Sequence, residues 1–560
     1  MHSGLKNMST TGEQTGNRYL AEAMKHCGAD YLFYMPMVLP GAIKEMETLG
    51  IHPIAGHSEK GIAYMADGYA RASGKLAFCA AQNIGSSNLA AAMLDGKMAR
   101  SPILALTGGS TPQTRYRNYY QDINQLPLWA AMAKMSARVD AVSRFPDLLG
   151  QAMRVATTGS PGPVHLELDN HTGAVLDGEL SGAPLPDPTY ARTPAIRHAA
   201  PAEQIRAALK IIGEAKKPVI LAGSGIRTSG ARDQLRAFAR KARIPVATSL
   251  DAKDAMAESD PLSIGVIGTY SRKTANMTVA EADLAIFVGS TTGSMITNTW
   301  EVPRPGIPAI QIDIDPLELG RNYPLLAGIC GDVATVLDQL SEAVQEQPDR
   351  SAWLNRVAEL RAEWREAEKD RETTASSPIR PEFLCRTLSN VLPENALLFV
   401  DTGHSGDWAA KNIYLEHPEQ RLFRAAGSLG WSYPASLGGK CARPDQPVVC
   451  FNGDGAFFYH LSEMETAKRH RINTLTIVNN NSAFNQEIPA WGGNPAYDHH
   501  WSFAPVNFKA VAEGFGVDAF RVEDPAELEA TLREALTIDA PVVVEVITDQ
   551  RALAASAWKP

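Results

Sequence analysis

Short apolar runs alternate with helical patterns along most of this chain of 560 residues. In the N-terminal third, the apolar runs are YLFYM, KLAFCAA, PILALTG and PVHLELD, each bounded by turn residues. Strands that alternate with helices in this way form mostly parallel sheets covered by helices on both faces. The sequence therefore predicts an α/β fold with doubly wound, mostly parallel sheets.

The alternating pattern occurs in three blocks, and a chain of this length exceeds what one hydrophobic core usually supports. We expect three domains, at residues 10–180, 195–345 and 375–555. The segment from Gly173 to Ala195 is rich in Pro, Gly and Ala and is predicted to be a linker. The charged segment from Asp349 to Thr374 has apolar residues at helical spacing, which indicates a connecting helix.

The composition excludes several classes of function. The net charge is −9 without a long run of Lys and Arg, so nothing indicates nucleic-acid binding. Six widely spaced cysteines fit neither a disulfide framework nor a zinc site. The N-terminus is polar, whether Met1 or Met8 is the first residue, and no run of 18 apolar residues occurs. We expect a cytoplasmic protein that contacts no membrane and acts on a small molecule.

One motif combines two strand ends. Asp454, in Gly-Asp-Gly, follows one apolar strand, and Asn481 follows the next. Because parallel strands end at the same edge of a sheet, Asp454 and Asn481 can meet although 27 positions separate them. Oxygen ligands suit Mg²⁺, and glycines let the backbone approach a diphosphate closely. Gly-Asp-Gly alone would be an ordinary turn, but the combination indicates a site for Mg²⁺ and a diphosphate.

This combination resembles the signature of thiamine diphosphate enzymes of the acetolactate synthase, 2-oxo-acid decarboxylase and benzaldehyde lyase type, over nearly the whole chain. The resemblance implies thiamine diphosphate and Mg²⁺ as cofactors, with a pyrimidine-binding, a central and a diphosphate-binding domain in that order. It implies Asp454, Asn481 and the Ala483 carbonyl as metal ligands. The implied cofactor-binding residues are Gly403, His404, Ser405, Gly427, Leu429, Gly453, Asp454, Gly455, Ala456, Asn481 and Asn88.

The same resemblance implies catalytic roles for three residues. Glu59, which precedes the family helix MADGYARASGK, matches the glutamate that relays a proton to the pyrimidine N1′ atom. Leu429 matches the apolar wedge that folds the cofactor, and Gln121 matches a glutamine that often faces the thiazolium. Each also has an ordinary interpretation: an acidic residue is favourable at a helix start, and a leucine is usually a core residue.

The substrate side departs from the family pattern. The segment from Phe33 to Gly41 replaces the common Phe-Gly-x-Pro-Gly with bulkier residues, and the segment that carries Gln121 has no His-His pair of the kind found in pyruvate decarboxylases. The loop FNQEIPAWGGNPAYDHHWSF is a candidate lid. In the central domain, the segment IGVIGTYSRKTAN lacks the usual flavin-contacting pattern, so FAD is not expected.

Three functions stay open on the sequence. The first is an acetolactate synthase-like carboligase or decarboxylase of a 2-oxo acid, and the second is a lyase that splits a 2-hydroxy ketone or a 2-hydroxyacyl-CoA without decarboxylation. The third, an inactive cofactor-binding paralogue, is disfavoured because Glu59, Leu429, Asp454 and Asn481 are all retained. In this family the first and third domains of different subunits clamp the cofactor, so we expect a homodimer or homotetramer with sites at the subunit interface.

Overall fold

The computed structural model describes residues 13–345 and 348–560 of the chain. Within these ranges it contains three six-stranded sheets, and all neighbouring strands in them run parallel. The predicted α/β class with parallel sheets is therefore confirmed. The alternatives Met1 and Met8 for the first residue lie outside the described residues.

The first sheet is built from the N-terminal block of the sequence. The strands of this block are β1 (Glu13–Thr15), β2 (Tyr31–Tyr34), β3 (His52–Ala55), β4 (Ala77–Ala81), β5 (Ile103–Gly108), β6 (Met135–Val139), β7 (Val164–Leu168) and β8 (Glu179–Ser181). Its helices are α1 (Gly16–His26), α2 (Pro40–Thr48), α3 (Glu59–Ser73), α4 (Ser86–Met98), α5 (Leu126–Trp129) and α6 (Phe145–Thr157). The sheet has the order β3-β2-β4-β5-β7-β6, and β1 pairs antiparallel with β8.

The second sheet has the order β11-β10-β9-β12-β13-β14. Its strands are β9 (Pro218–Ala222), β10 (Val246–Thr248), β11 (Ser263–Val266), β12 (Leu284–Val288), β13 (Ala309–Asp313) and β14 (Ala327–Cys330). The helices of this block are α7 (Ala202–Glu214), α8 (Gly225–Ser229), α9 (Arg232–Ala242), α10 (Lys273–Ala280), α11 (Ser294–Thr297) and α12 (Val333–Ala343). The predicted connecting helix is confirmed as α13 (Ser351–Thr373), which buries Trp353, Val357, Leu360 and Trp364.

The third sheet has the order β16-β15-β17-β18-β20-β19, so it repeats the strand order of the first. Its strands are β15 (Leu397–Val400), β16 (Arg421–Arg424), β17 (Val448–Gly453), β18 (Leu475–Asn480), β19 (Asp518–Val522) and β20 (Val542–Ile547). The helices are α14 (Pro381–Val391), α15 (His404–Asn412), α16 (Ser432–Ala442), α17 (Asp454–Phe457), α18 (Glu463–His470), α19 (Phe508–Gly514) and α20 (Pro525–Ala535). Short 3₁₀ turns lie at Val142–Arg144, Ala174–Asp177, Pro188–Ala191, Leu250–Ala255, Phe458–His460, Asn485–Trp491 and Pro495–His500.

The chain divides into two compact units. The first unit contains the described residues up to Ile196 together with Ala426–Asp445 and His460–Ile472. The second unit contains Arg197–Ala425, Gln446–Tyr459 and Asn473–Pro560. The first sheet therefore belongs to the first unit with α16 and α18, and the second and third sheets belong to the second unit. The predicted domain boundaries stay a prediction.

The predicted linker from Gly173 to Ala195 is wrong, because residues along most of this segment pack into the first unit. β8 lies within it and pairs with β1, and Leu176, Leu180 and Ala191 are buried in the core of the first unit. Its Pro and Gly content reflects tight turns between packed residues rather than an extended connection. No helix in the described part of the chain is long and apolar enough to cross a membrane.

Two helices of the first unit touch at their backbones. A Cβ atom on Gly68 of α3 would clash with the Ala435 carbonyl of α16, and one on Gly438 of α16 would clash with the Met65 carbonyl of α3. Both glycines lie inside helices, where glycine is normally unfavourable relative to alanine. Close packing of α3 against α16 therefore accounts for these two residues.

Gly438→Ala tests this packing. We expect the variant to lose about 1–3 kcal/mol of stability, because an added methyl group must push the helices apart. Gly150→Ala is the matched control: Gly150 lies in α6, where a Cβ would find ordinary contact with Arg154 at 3.6 Å. It should be neutral or gain up to about 1 kcal/mol. Thermal unfolding of both variants makes the comparison, and equal melting temperatures would contradict the close packing.

Candidate active site

The ends of β17 and β18 meet at one edge of the third sheet. The strands pair in parallel with Gly453 opposite Asn479. The Asp454 carboxylate, 2% exposed, accepts hydrogen bonds from the backbone N–H groups of Asn481 at 2.9 Å and Ser482 at 2.6 Å, and from that of Gly455 at 2.7 Å. The structure therefore brings Asp454 and Asn481 together, as parallel pairing of their strands requires.

The three consecutive asparagines at this edge differ in their partners. Asn479 accepts a hydrogen bond from the Thr548 hydroxyl, and Asn480 donates to Glu545 Oε1 at 2.6 Å. Asn481 Oδ1 is buried and has no hydrogen-bond partner among the described residues. Leaving a buried oxygen unpaired costs about 1–3 kcal/mol, so this atom is the one that a bound cation would satisfy.

The donor set at this edge suits a magnesium ion. It consists of the Asp454 carboxylate, the Asn481 amide oxygen and, by the family resemblance, the carbonyl of the buried Ala483. Burial raises the pKa of Asp454 to about 6, although backbone N–H groups from Gly455, Asn481, Ser482 and Ala483 act in the opposite direction. The described residues contain no cluster of three or more His, Cys, Asp and Glu side chains that could hold a metal. Oxygen ligands completed by phosphate and water are what Mg²⁺ prefers.

The N-terminus of α15 lies beside this edge. Gly403 precedes the helix with a φ of +72°, and His404 and Ser405 form its first turn. A Cβ on Gly453 would come within 3.2 Å of Ser405 Oγ, so the Gly-Asp-Gly turn and the helix start are in contact. Free N–H groups at a helix N-terminus favour an anion such as a phosphate. Burial lowers the pKa of His404, whose Nδ1 lies 2.8 Å from Asn485 Oδ1.

The remaining residues of the predicted diphosphate site serve packing in part. A Cβ on Gly455 would clash with the ring of Phe484, so this glycine is needed for the packing of that ring. Ala456 is buried. The structure therefore brings together all the predicted metal and diphosphate residues of the second unit, and their roles stay a prediction.

Asp454→Asn should weaken binding of Mg²⁺ and thiamine diphosphate by about 100-fold or more. Mutation of a residue that only supports the metal ligands typically lowers metal affinity by about 10–100-fold, and Asp454 is a predicted ligand itself. The fold should survive, since Asn retains one oxygen for the N–H groups of Asn481 and Ser482. Calorimetric titration measures both affinities. Asp518→Asn, at an exposed position on β19, is the control. Wild-type affinity in the Asp454 variant would place the metal elsewhere.

In the first unit, Glu59 is the first residue of α3. The Ser58 hydroxyl accepts a hydrogen bond from the Gly61 N–H at 2.9 Å, which caps the helix and fixes where Glu59 stands. Asn88 of α4 donates a hydrogen bond to Glu59 Oε2 at 3.1 Å. A Cβ on Gly85 would lie 2.7 Å from Glu59 Oε1, so the carboxyl packs directly on this glycine. The structure thus brings together Glu59 and Asn88, two of the predicted residues.

Sequence reasoning missed Glu463, which is fully buried beside the start of α3. Its carboxylate accepts hydrogen bonds from the His57 N–H at 3.2 Å and from the Thr466 hydroxyl at 2.8 Å. Burial raises the pKa of Glu463. The available signal was an acidic residue on the buried face of the helix that follows Gly-Asp-Gly. His57 is exposed, and its ring contacts Glu465 at 2.6 Å.

Gln121 lies in a strained loop. Its φ is +58°, a region that non-glycine residues rarely occupy. Its Nε2 donates to Gln82 Oε1 at 3.3 Å, and Gln82 Nε2 donates to the Met37 carbonyl at 3.3 Å. Gln121 Oε1 is buried without a partner in the described structure. Gln121 is therefore coupled to the remodelled segment from Phe33 to Gly41.

Gly427 and Leu429 belong to the first unit, as Glu59 does. They lie in the loop before α16, where Gly427 is exposed and Leu429 is half-buried. Leu429 is therefore not a fully buried core residue. Its role as a wedge stays a prediction.

The candidate lid folds into two 3₁₀ turns. Within it, the rings of Trp491 and His500 stack at a centroid distance of 4.0 Å. Gln486 Nε2 donates to the Tyr270 hydroxyl of the central block at 3.1 Å.

The central block contains a Gly-x-Gly sequence at residues 223–225. Cβ atoms on Gly223 and Gly225 would clash with Gly289, so packing accounts for both glycines. The expectation that FAD is not bound stays a prediction.

Comparison with protein families gave three matches in chain order. Residues 14–128 match the thiamine pyrophosphate enzyme N-terminal TPP binding domain, residues 205–340 the central domain and residues 401–546 the C-terminal TPP binding domain. The chain is 31% identical to a probable acetolactate synthase large subunit of Methanocaldococcus jannaschii, with 95% of this chain and 92% of that protein covered. It is 28% identical to the acetolactate synthase isozyme 1 large subunit of Escherichia coli, with 97% and 95% covered.

Proposed function

Because the chain belongs to the thiamine pyrophosphate enzyme family, we propose that it is a thiamine diphosphate- and Mg²⁺-dependent enzyme that makes or breaks a carbon–carbon bond next to a carbonyl. The observation that carries this proposal is that the buried Asp454 carboxylate binds the Asn481 N–H at the edge of the third sheet, where the buried Asn481 Oδ1 has no partner among the described residues. A purely structural turn has no need for an unpaired buried oxygen beside a buried carboxylate.

The residues of the second unit fit the charged end of the cofactor. Asp454, Asn481 and the Ala483 carbonyl would hold Mg²⁺, and the N–H groups at the start of α15 would face the diphosphate. When bound, thiamine diphosphate would supply a carbon nucleophile that can add to a carbonyl, and a cationic ring that can then accept the electron pair of a bond broken at that carbon. The protein contributes binding, orientation and proton transfer around it.

Glu59 is the proposed proton carrier of the first unit. Its Oε2 atom accepts a hydrogen bond from Asn88, and its Oε1 atom packs against Gly85, so both carboxyl oxygens have contacts within the first unit. In this role the carboxyl would share a proton with the N1′ atom of the pyrimidine. The Gly427 carbonyl would accept from the 4′-amino group, Leu429 would support the folded cofactor, and Gln121 would face the reacting carbon.

Glu59→Gln separates binding from proton transfer. Gln retains the size and hydrogen-bonding capacity of Glu but cannot carry the proton, so the variant should bind thiamine diphosphate and Mg²⁺ normally. Turnover and exchange of the cofactor C2 proton with deuterated solvent should each fall by about 10²–10⁴-fold. Exchange is followed by NMR of the quenched cofactor and requires no knowledge of the substrate. Glu47→Gln, at an exposed position in α2, is the control. Exchange at the wild-type rate would remove Glu59 from the mechanism.

We propose an acetolactate synthase-like carboligase or decarboxylase of a 2-oxo acid as the reaction, supported by the identity to acetolactate synthases over nearly the whole chain. One observation keeps the non-decarboxylating lyase as a second candidate. In the remodelled segment from Phe33 to Gly41, Met37 and Leu39 have positive φ angles, of 70° and 51°, which residues other than glycine rarely adopt. Met37 is also 68% exposed, so the remodelled segment presents an apolar side chain at its surface.

A substrate panel separates the two reactions. The holoenzyme is incubated with 2-oxo acids, 2-hydroxy ketones and 2-hydroxyacyl-CoA thioesters, and carbon dioxide, acyloins and aldehydes are measured. Carbon dioxide released from a 2-oxo acid together with a hydroxy-oxo acid product would support the carboligase. Aldehyde formed from a 2-hydroxy compound without carbon dioxide would support the lyase. Inactivity on the whole panel, with tight cofactor binding, would favour the inactive paralogue.

We also propose a homodimer or homotetramer with sites at the subunit interface, because the predicted catalytic residues are divided between the first and third sequence blocks as in the family. Light scattering coupled to size exclusion should give a mass of two or four chains for the active species. An active monomer would contradict this.

A further inference from the structure

One carboxylate of the first unit binds three consecutive backbone amides. Asp95 Oδ1 accepts from the Ala426 N–H at 2.9 Å, and Oδ2 accepts from the Gly427 N–H at 3.1 Å and the Ser428 N–H at 2.9 Å. The Asp95 side chain is 0% exposed, whereas Gly427 is exposed. A loop at the surface is thus held from beneath by a buried charge.

A buried ion-pair network holds Asp95 in turn. The Arg71 guanidinium donates to Asp95 Oδ1 at 2.8 Å and, through Nε, to Asp67 Oδ1 at 2.8 Å. Asp67 Oδ2 also accepts from the Trp431 indole N–H at 2.8 Å, and the Arg71 guanidinium lies 4.3 Å from the Trp431 ring centre. Two carboxylates thus face one guanidinium, and the amides of residues 426–428 supply the remaining donors. Buried charges require such complete pairing.

The position of Asp95 on α4 links this loop to Glu59. Asn88, which donates to Glu59, and Asp95 are seven residues apart on the same helix, so they lie on one face and about 10 Å apart along its axis. One rigid helix thus contacts both the predicted proton carrier and the loop that carries Gly427 and Leu429. The contact with the loop is not visible in the sequence, because Asp95 and Ala426 are 331 positions apart.

We propose that Asp95 is a positioning residue that holds the 426–428 loop in the conformation in which Gly427 and Leu429 receive the pyrimidine end of the cofactor. This inference rests on the proposed function, because the roles of Gly427 and Leu429 do. It concerns Asp95, which is not among the residues predicted to contact the cofactor. A charged acceptor is needed at position 95, since an amide has one oxygen for three N–H groups and its NH₂ group would face either these donors or Arg71.

The test uses Asp95→Asn with Asp67→Asn as matched control. Asp67 pairs with the same arginine but has no hydrogen bond to residues 426–428 among the described contacts. In Asp95→Asn apoprotein, hydrogen–deuterium exchange of the 426–428 amides should accelerate about 10-fold or more, since their acceptor is lost. The dissociation constant of thiamine diphosphate, by calorimetry at saturating Mg²⁺, should rise about 10–100-fold, as for other supporting residues. Asp67→Asn should lower the melting temperature and leave both quantities close to wild type.

Each other outcome is decisive. Equal losses of cofactor affinity in both variants would show that the network acts only through stability and would overturn the inference. Faster loop exchange with wild-type affinity in Asp95→Asn would overturn it as well. If Asp95→Asn does not fold, the wild-type apoprotein still gives a test: unprotected 426–428 amides would overturn the inference, and protected amides would support the anchoring. Failure of the wild type to bind thiamine diphosphate would overturn the proposed function and this inference with it.

Discussion

The parallel pairing of β17 with β18 is the constraint on which the candidate site depends. It places the end of each strand at the same edge, where the Asp454 carboxylate accepts N–H groups from the residues that follow β18. Through these hydrogen bonds, the Asp454 carboxylate links the end of β17 to the end of β18. They also leave Asn481 Oδ1 buried without a partner among the described residues, and this combination is the basis on which we propose that the edge binds a cation.

In the first unit, packed helices position the predicted site residues. α3 begins at Glu59 because Ser58 caps it, and α3 packs backbone to backbone on α16 through Gly68 and Gly438. α4 contacts both Glu59 and the loop before α16. In both units, therefore, the predicted site residues stand at the ends of elements whose positions are determined by buried packing and buried hydrogen bonds, which is the usual basis of preorganised sites.

In the first sheet, the apolar runs of the sequence predicted the four interior strands but not the two edge strands, which are β3 and β6. An interior strand such as β7 is buried along its whole length and reads as a continuous apolar run, whereas β6 buries Val139 alone. Motif spacing predicted that Asp454 and Asn481 meet. The roles of Glu463 and Asp95 could not be predicted, because the backbone N–H groups that they bind, at His57 and at residues 426–428, lie hundreds of positions away in the sequence.

The central claim is that the chain binds thiamine diphosphate through a magnesium ion held by Asp454 and Asn481. The most direct measurement is a calorimetric titration of metal-free apoprotein with thiamine diphosphate, with and without Mg²⁺. The account predicts saturable binding of one cofactor per chain when Mg²⁺ is present and a large loss of affinity when it is withheld. Absence of binding, or binding of equal strength without the metal, would contradict it.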